Sequence, residues 1–240
     1  MYKRQELQHY LQKLFKEKLT EAKKLTIHKV FFSPYQEDSL IIQTEQAIYN
    51  YEFLEDNLEQ LVDRKVLFPT PSDSKLYYFS NQGILFSYNF NTKNIQQESL
   101  FVFHIDRKNP ALIHPFTLNN SNYLLVLDSS QNLYLITKKD VPRLIARGVT
   151  DFQLSPENTS LLVRKKGNNS FIYGVLTSKK EELALHSDKT PQWFYNQEYL
   201  LFCQGQTLYI YDRNQKKAFL VTQNIKDKHC ILYTSPSPRD

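Results

Sequence analysis

The chain is short of glycine. It has 5 glycines in 240 residues, where average usage of about 7% would supply roughly 17. That scarcity argues against folds built on glycine loops. No G-x-G-x-x-G and no P-loop is present, which excludes the usual dinucleotide- and NTP-dependent enzymes. Only two cysteines occur, Cys203 and Cys230, too few for a disulfide framework. Such usage fits a reducing cytosol or a cysteine-poor bacterial exterior equally well. No apolar run approaches the length of about 18 residues that a spanning helix needs, and no secretory-signal pattern is visible. Charge of one sign is scarce too: 30 basic residues stand against 25 acidic ones, a formal +5.

Hydrophobic residues, by contrast, make up 41% and aromatics 14%, with 16 Phe and 16 Tyr. That is enough for a core, and the length allows one large β domain or two ordinary domains. Residues 6–24 carry Leu7, Tyr10, Leu11, Leu14, Phe15, Leu19 and Ala22 at three- and four-residue spacing, predicting one N-terminal amphipathic helix. It is expected to pack on its own domain. A membrane-surface or partner helix is the alternative, since the polar face is basic but diluted by Glu6, Glu17 and Glu21.

From Leu25 the pattern changes to short runs of Tyr, Phe, Ile, Val and Leu bounded by Asn, Asp, Ser and Pro, which read as strands. The runs repeat. Aligned on Ser39, Lys75, Tyr123, Ser160 and Tyr199, the copies lie 36, 48, 37 and 39 residues apart. Each begins a strongly apolar strand, passes through a polar turn, and enters a strand with Tyr or Phe. Further strands at 58–62, 143–147, 183–186 and 218–222 close most units. Four strands per roughly 40 residues is the period of a β-propeller blade. Continuous apolar runs such as Leu40–Ile42 and Leu76–Phe79 fit strands covered on both faces by stacked sheets. The expected fold is therefore all-β: about five four-stranded blades over 25–228, at about 25–64, 65–105, 106–148, 149–188 and 189–228.

The turns carry a family resemblance. Ser33-Pro34 through Asp38, Ser155-Pro156-Glu157-Asn158 and Ser72-Asp73-Ser74 are similar to the Ser-Pro-Asp-Gly turn of the WD40-like propeller of the TolB type, and Leu208 to Asn214 resembles that family's strand into its last hairpin. The turn glycine is missing nearly everywhere. Asn158, Asn120 and Asn196 are expected to replace it, because Asn tolerates the left-handed conformation. The texture also resembles propeller regions that follow PEGA modules in bacterial surface proteins.

The two ends resemble something else. Met1 to Gln5 reads like the translation of a transposase recognition element used in sequencing-library preparation, and Leu232 to Asp240 like the same element read outward. On this reading 1–5 and about 229–240 are a scar and a junction, and the chain is an interior piece of a larger propeller gene. Lys3, Arg4 and Arg239 against Asp240 then account for two of the five net positive charges.

Candidate chemistry is sparse. No H-E-x-x-H and no G-x-S-x-G occurs, and no histidine lies beside a cysteine at metal spacing. No catalytic, cofactor or metal residue is therefore assigned. His104 and Asp106, two apart, are expected on one strand face, as an exposed polar pair or a ligand site. Trp193, with Phe194 and Tyr195, is read as inter-blade packing or as a ligand platform at a channel mouth. Lys138-Lys139, Arg164-Lys165-Lys166, Lys179-Lys180 and Lys216-Lys217 sit at turns among acidic residues, so solvated turns are favoured and nucleic acid is not the expected partner. Cys203 is expected to be a buried packing residue.

The expected function is a non-catalytic binding or scaffold domain for a protein or glycan partner, in the cell envelope or outside the cell rather than in the cytoplasm. The alternative is the accessory propeller of a peptidase or other hydrolase. An incomplete propeller leaves unpaired sheet edges, so the isolated chain should be poorly soluble or oligomeric. Size-exclusion chromatography with light scattering tests this, and a monomer with sharp two-state unfolding would count against incompleteness.

Overall fold

The computed structural model describes residues 27–223, apart from 73, 138–140, 168, 184, 186, 188, 189, 195 and 196. The expected helix over 6–24 and both chain ends lie outside the described residues.

Among the described residues, twenty strands form five four-stranded antiparallel sheets. The first sheet holds β1 (Ile27–Phe32), β2 (Ser39–Thr44), β3 (Ile48–Glu52) and β4 (Asn57–Val62). The second holds β5 (Val66–Pro71), β6 (Lys75–Ser80), β7 (Ile84–Asn89) and β8 (Asn94–Val102). The third holds β9 (Leu112–Leu118), β10 (Ser121–Leu127), β11 (Leu133–Ile136) and β12 (Arg143–Ala146). The fourth holds β13 (Val149–Leu154), β14 (Ser160–Lys165), β15 (Ser170–Gly174) and β16 (Lys180–Leu183). The fifth holds β17 (Gln192–Phe194), β18 (Tyr199–Gln204), β19 (Thr207–Asp212) and β20 (Lys217–Thr222). In every sheet the strands pair in chain order, so each is a simple meander.

The chain divides into two compact units. One comprises 27–115, Asn122–Ser130 and Tyr134–Leu144; the other comprises Phe116–Ser121, Gln131–Leu133 and 145–223. The third sheet contributes strands to both.

In the first unit, side chains alternate between two interfaces. From the first sheet Ile41 and Ile48 pack with Leu76, Tyr78 and Tyr88 of the second. The next residues along β6, Tyr77 and Phe79, point the other way and pack with Ile113, Leu124 and Val126. One strand thus serves two cores, because successive side chains of a strand project to opposite faces. Leu76, Tyr78 and Phe79 are all fully buried. Aromatic rings fill these gaps edge to face, as with Phe79 and Phe103 at 5.6 Å. In the second unit Leu162 and Ile172 pack with Leu200, Phe202 and Tyr211 in the same manner. Each such buried aliphatic or aromatic side chain contributes about 1.5–3 kcal/mol.

A polar chain crosses the second sheet. Lys75 Nζ on β6 lies 2.9 Å from Glu98 Oε1 on β8, and the buried Ser87 hydroxyl on β7 donates to the same oxygen at 2.6 Å. Burial first, and then the Glu98 charge, push the Tyr77 phenol up to about 12.

The turns answer the glycine shortage. Asn158 and Asn120 have φ of 60° and 58°, the left-handed conformation expected of them. The outer hairpins use other residues: Asp56, Lys93 and Lys216, each immediately before an outer strand, have φ of 49°, 54° and 53°. A left-handed backbone costs a residue with a Cβ roughly 1–2 kcal/mol. At Gly83, with φ of 78°, no substitute fits, since a Cβ would run into the Phe103 carbonyl oxygen.

Tyr78 is fully buried and stacked on Phe86, and its hydroxyl is without a hydrogen-bond partner among the described residues. An unsatisfied buried hydroxyl costs about 1–3 kcal/mol. Tyr78→Phe should therefore raise stability, by about 1 kcal/mol, read as a higher urea midpoint at unchanged slope.

Candidate functional site

His104, Asp106 and Trp193 are described; Tyr195 is outside the described residues. His104 and Asp106 do not share a strand face. The chain leaves β8 at Val102, and 103–111 is a loop with one isolated bridge between Asp106 and Asn109. In this loop the Asp106 N–H donates to Ser129 Oγ at 2.7 Å, and the Ser129 hydroxyl donates to Asn109 O at 2.6 Å. His104 Nδ1 lies 2.9 Å from Ser130 Oγ. That is the spacing of a hydroxyl activated by an imidazole, which also needs a group to orient the ring. Of the nearby carboxylates, Asp106 accepts from the Lys108 N–H at 3.0 Å and Asp128 from the Ser130 N–H at 2.9 Å. The arrangement ties the loop to the Asp128–Ser130 turn.

Trp193 on β17 is buried, and its indole N–H donates to Gln153 O on β13 at 3.2 Å. Arg213 lies over the ring at 5.6 Å. The guanidinium also reaches Glu181 Oε2 on β16 at 2.9 Å and Gln197 O at 2.7 Å. Together these join the fourth and fifth sheets. Cys203, expected to be a buried packing residue, is buried on β18 and is disulfide-bonded.

The sequence reading missed a cavity of about 360 Å³ in the first unit, at the entry to the second sheet. Its rim is cationic: Lys29 from β1, Lys65 just before β5, and Arg107 from the 103–111 loop, with the His28 ring beside them. Glu45 is the one carboxylate among the described lining residues, 3.9 Å from His28. Val66, Leu67, Phe68, Pro69 and Pro110 supply apolar lining. Two irregularities shape it. β1 shifts register between Ile27 and Lys29, and β5 between Leu67 and Thr70. Phe68, inside the second bulge, has φ of 51°. An aromatic residue in that conformation directly before a proline is costly, and such strain concentrates at functional sites.

The second unit has a cavity of about 440 Å³ at the equivalent place. β13 shifts register between Val149 and Asp151 as β1 does between Ile27 and Lys29, so Asp151 occupies the position of Lys29 and Arg164 that of Gln43. Gln43 Nε2 donates to Val66 O at 3.1 Å, and Arg164 Nη2 reaches Ser187 O at 3.5 Å. Both side chains clasp the segment entering the next sheet. In the second unit, however, Asp151 and Arg164 bring one charge of each sign.

No known family model and no curated protein matches the chain in sequence. Solved structures do match in fold. The complex of the fission yeast SREBP-SCAP binding domains matches with a TM-score of 0.53 at 12% identity, over 83% of this chain and 61% of that one. The WD40 domain of SCAP from fission yeast gives 0.52 at 13%, over 84% and 56%. A chain of the mitotic checkpoint complex gives 0.50 at 11%, over 80% and 67%. The chain thus spans a little over half of the two SCAP-related structures. The five meander sheets and these likenesses define an all-β fold of the WD40-like propeller type.

Trp193→Phe keeps a ring in the joint but removes the donor to Gln153 O. It should cost about 1–3 kcal/mol in urea unfolding; unchanged stability would remove Trp193 from the packing role.

Proposed function

We propose that the chain is a non-catalytic scaffold domain that binds a protein partner, within an envelope or extracellular bacterial protein. The observation that carries the reading is the exposed cationic cavity with an apolar lining, held by bulges in the sheets of the first unit. Binding residues concentrate on loops and strand ends that a rigid scaffold positions. The 103–111 loop supports the same surface: it supplies Arg107 and Pro110 to the cavity and also carries His104 and Asp106. The Ser-Pro turns at Ser33 and Ser155 support a TolB-like propeller, and the envelope setting follows from the resemblance to PEGA-linked surface propellers. Among the described residues no three His, Cys, Asp or Glu side chains gather where they could hold a metal ion, so the cavity and its rim are the chemistry that the reading uses.

Affinity capture on the immobilised full chain, followed by calorimetry with each purified candidate, tests the proposal. A saturable one-to-one complex of micromolar or tighter Kd is expected. Turnover of a peptide, ester or glycoside substrate by the chain alone, with no saturable partner, overturns it.

A further inference from the structure

We propose that the cavity at the entry to the second sheet takes an acidic peptide segment, with a carboxylate held by Lys29, Lys65 and Arg107 and an adjacent apolar side chain seated on Phe68. The inference rests on the scaffold reading and names the chemistry of its partner.

Three independent observations converge on it. The first is uncompensated charge. Lys29, Lys65 and Arg107 are exposed and come from three separate segments, yet converge on one cavity in which Glu45 is the one described carboxylate. Glu45 already lies beside His28. Lys29 is also held over the Phe31 ring, at 4.6 Å, which fixes one cation at the rim. The second is the backbone. The bulge at Leu67–Thr70 and the left-handed Phe68 bring an aromatic ring and Pro69 to the cavity. Neither is needed for a first strand to pair with its second, since β17 pairs with β18 in an unbroken register.

The third is a comparison within the chain itself. The fourth sheet repeats the same bulge and the same clasp, and opens an equivalent cavity of about 440 Å³. There the Lys29 position is Asp151, and the Gln43 position is Arg164. The repeat therefore makes the hollow as a matter of architecture, while among the described residues three cations meet only at the rim in the first unit. Architecture explains the space; it does not explain the charge.

A peptide fits better than a nucleic acid. About 360 Å³ is at the small end of binding pockets and admits one or two side chains. Backbone-tracking of nucleic acid needs a cationic groove several nucleotides long, whereas this rim is a single cluster around an apolar floor. Carboxylate recognition by Arg and Lys beside an apolar anchor is the chemistry of an acidic motif.

The test is selection from a random dodecapeptide display library against the full chain, in parallel with the variant Lys29→Glu, Lys65→Glu, Arg107→Glu. The expected result is enrichment of peptides with Asp or Glu beside an aliphatic or aromatic residue. Their affinity should fall about tenfold or more on the variant and weaken in about 1 M salt. A second variant, Lys29→Gln, Lys65→Gln, Arg107→Gln, should give an intermediate loss, and equal unfolding midpoints establish that all three proteins fold alike. Enriched peptides without an acidic bias, or acidic peptides bound equally by the charge-reversed variant, overturn the inference and leave the scaffold reading standing. Displacement of the selected peptides by a single-stranded oligonucleotide at equal affinity overturns the peptide assignment. Failure of the wild-type chain to enrich any peptide counts against both readings.

Discussion

A four-stranded meander cannot cover both faces of its own middle strands, and the fold follows from that constraint. In β6, Leu76 and Tyr78 serve one interface and Tyr77 and Phe79 the other, and all four are buried. In β14 and β18 the same apolar density recurs at Leu161–Val163 and Leu200–Cys203. A strand of this kind is stable only between two neighbours, so sheets of this sequence must stack or leave a hydrophobic face to water. The outer strands differ in this respect: β16 reads Lys-Glu-Glu-Leu, whereas β20 leaves Phe219, Leu220 and Val221 exposed.

Stacking by apolar area alone leaves the angle between sheets poorly determined, and polar links supply the registration. In the second unit the Trp193 indole reaches back to Gln153 O, while Arg213 bridges Glu181 and the Gln197 carbonyl. Lys180 extends from β16 to Ile145 O at 2.7 Å. Gln43 performs a comparable task in the first unit on Val66 O. These are directional bonds between elements whose hydrophobic contact has no direction of its own. Buried polar groups that are satisfied in this way specify one arrangement among many of similar area.

Much of the fold was legible because buried middle strands write a strong signal. β2, β6, β14 and β18 begin at Ser39, Lys75, Ser160 and Tyr199, the residues on which the repeats align, and β10 begins two residues before Tyr123, at Ser121. Edge strands write a weak one. β8, with its Asn-Ile-Gln-Gln-Glu start, had no signal in periodicity, and β16 lies three residues before the expected 183–186. His104 and Asp106 were placed on a strand because they alternate; the loop geometry depends on Ser129, more than twenty residues away, which no local pattern reveals. The cavity was out of reach for the same reason. Its cations sit at 29, 65 and 107, and what brings them together is a pair of bulges. The one local sign was Phe68-Pro69 inside a strand, since proline interrupts a ladder.

The bulge shared by β1 and β13 separates shape from identity. It turns one residue per sheet toward the hollow beside the next sheet, and the backbone there is the same whether that residue is Lys29 or Asp151. A single base change or two can therefore exchange the sign of a rim without disturbing a ladder or a core. One backbone device thus carries rims of different sign, and the sign is set by a side chain on which neither the ladder nor the core depends.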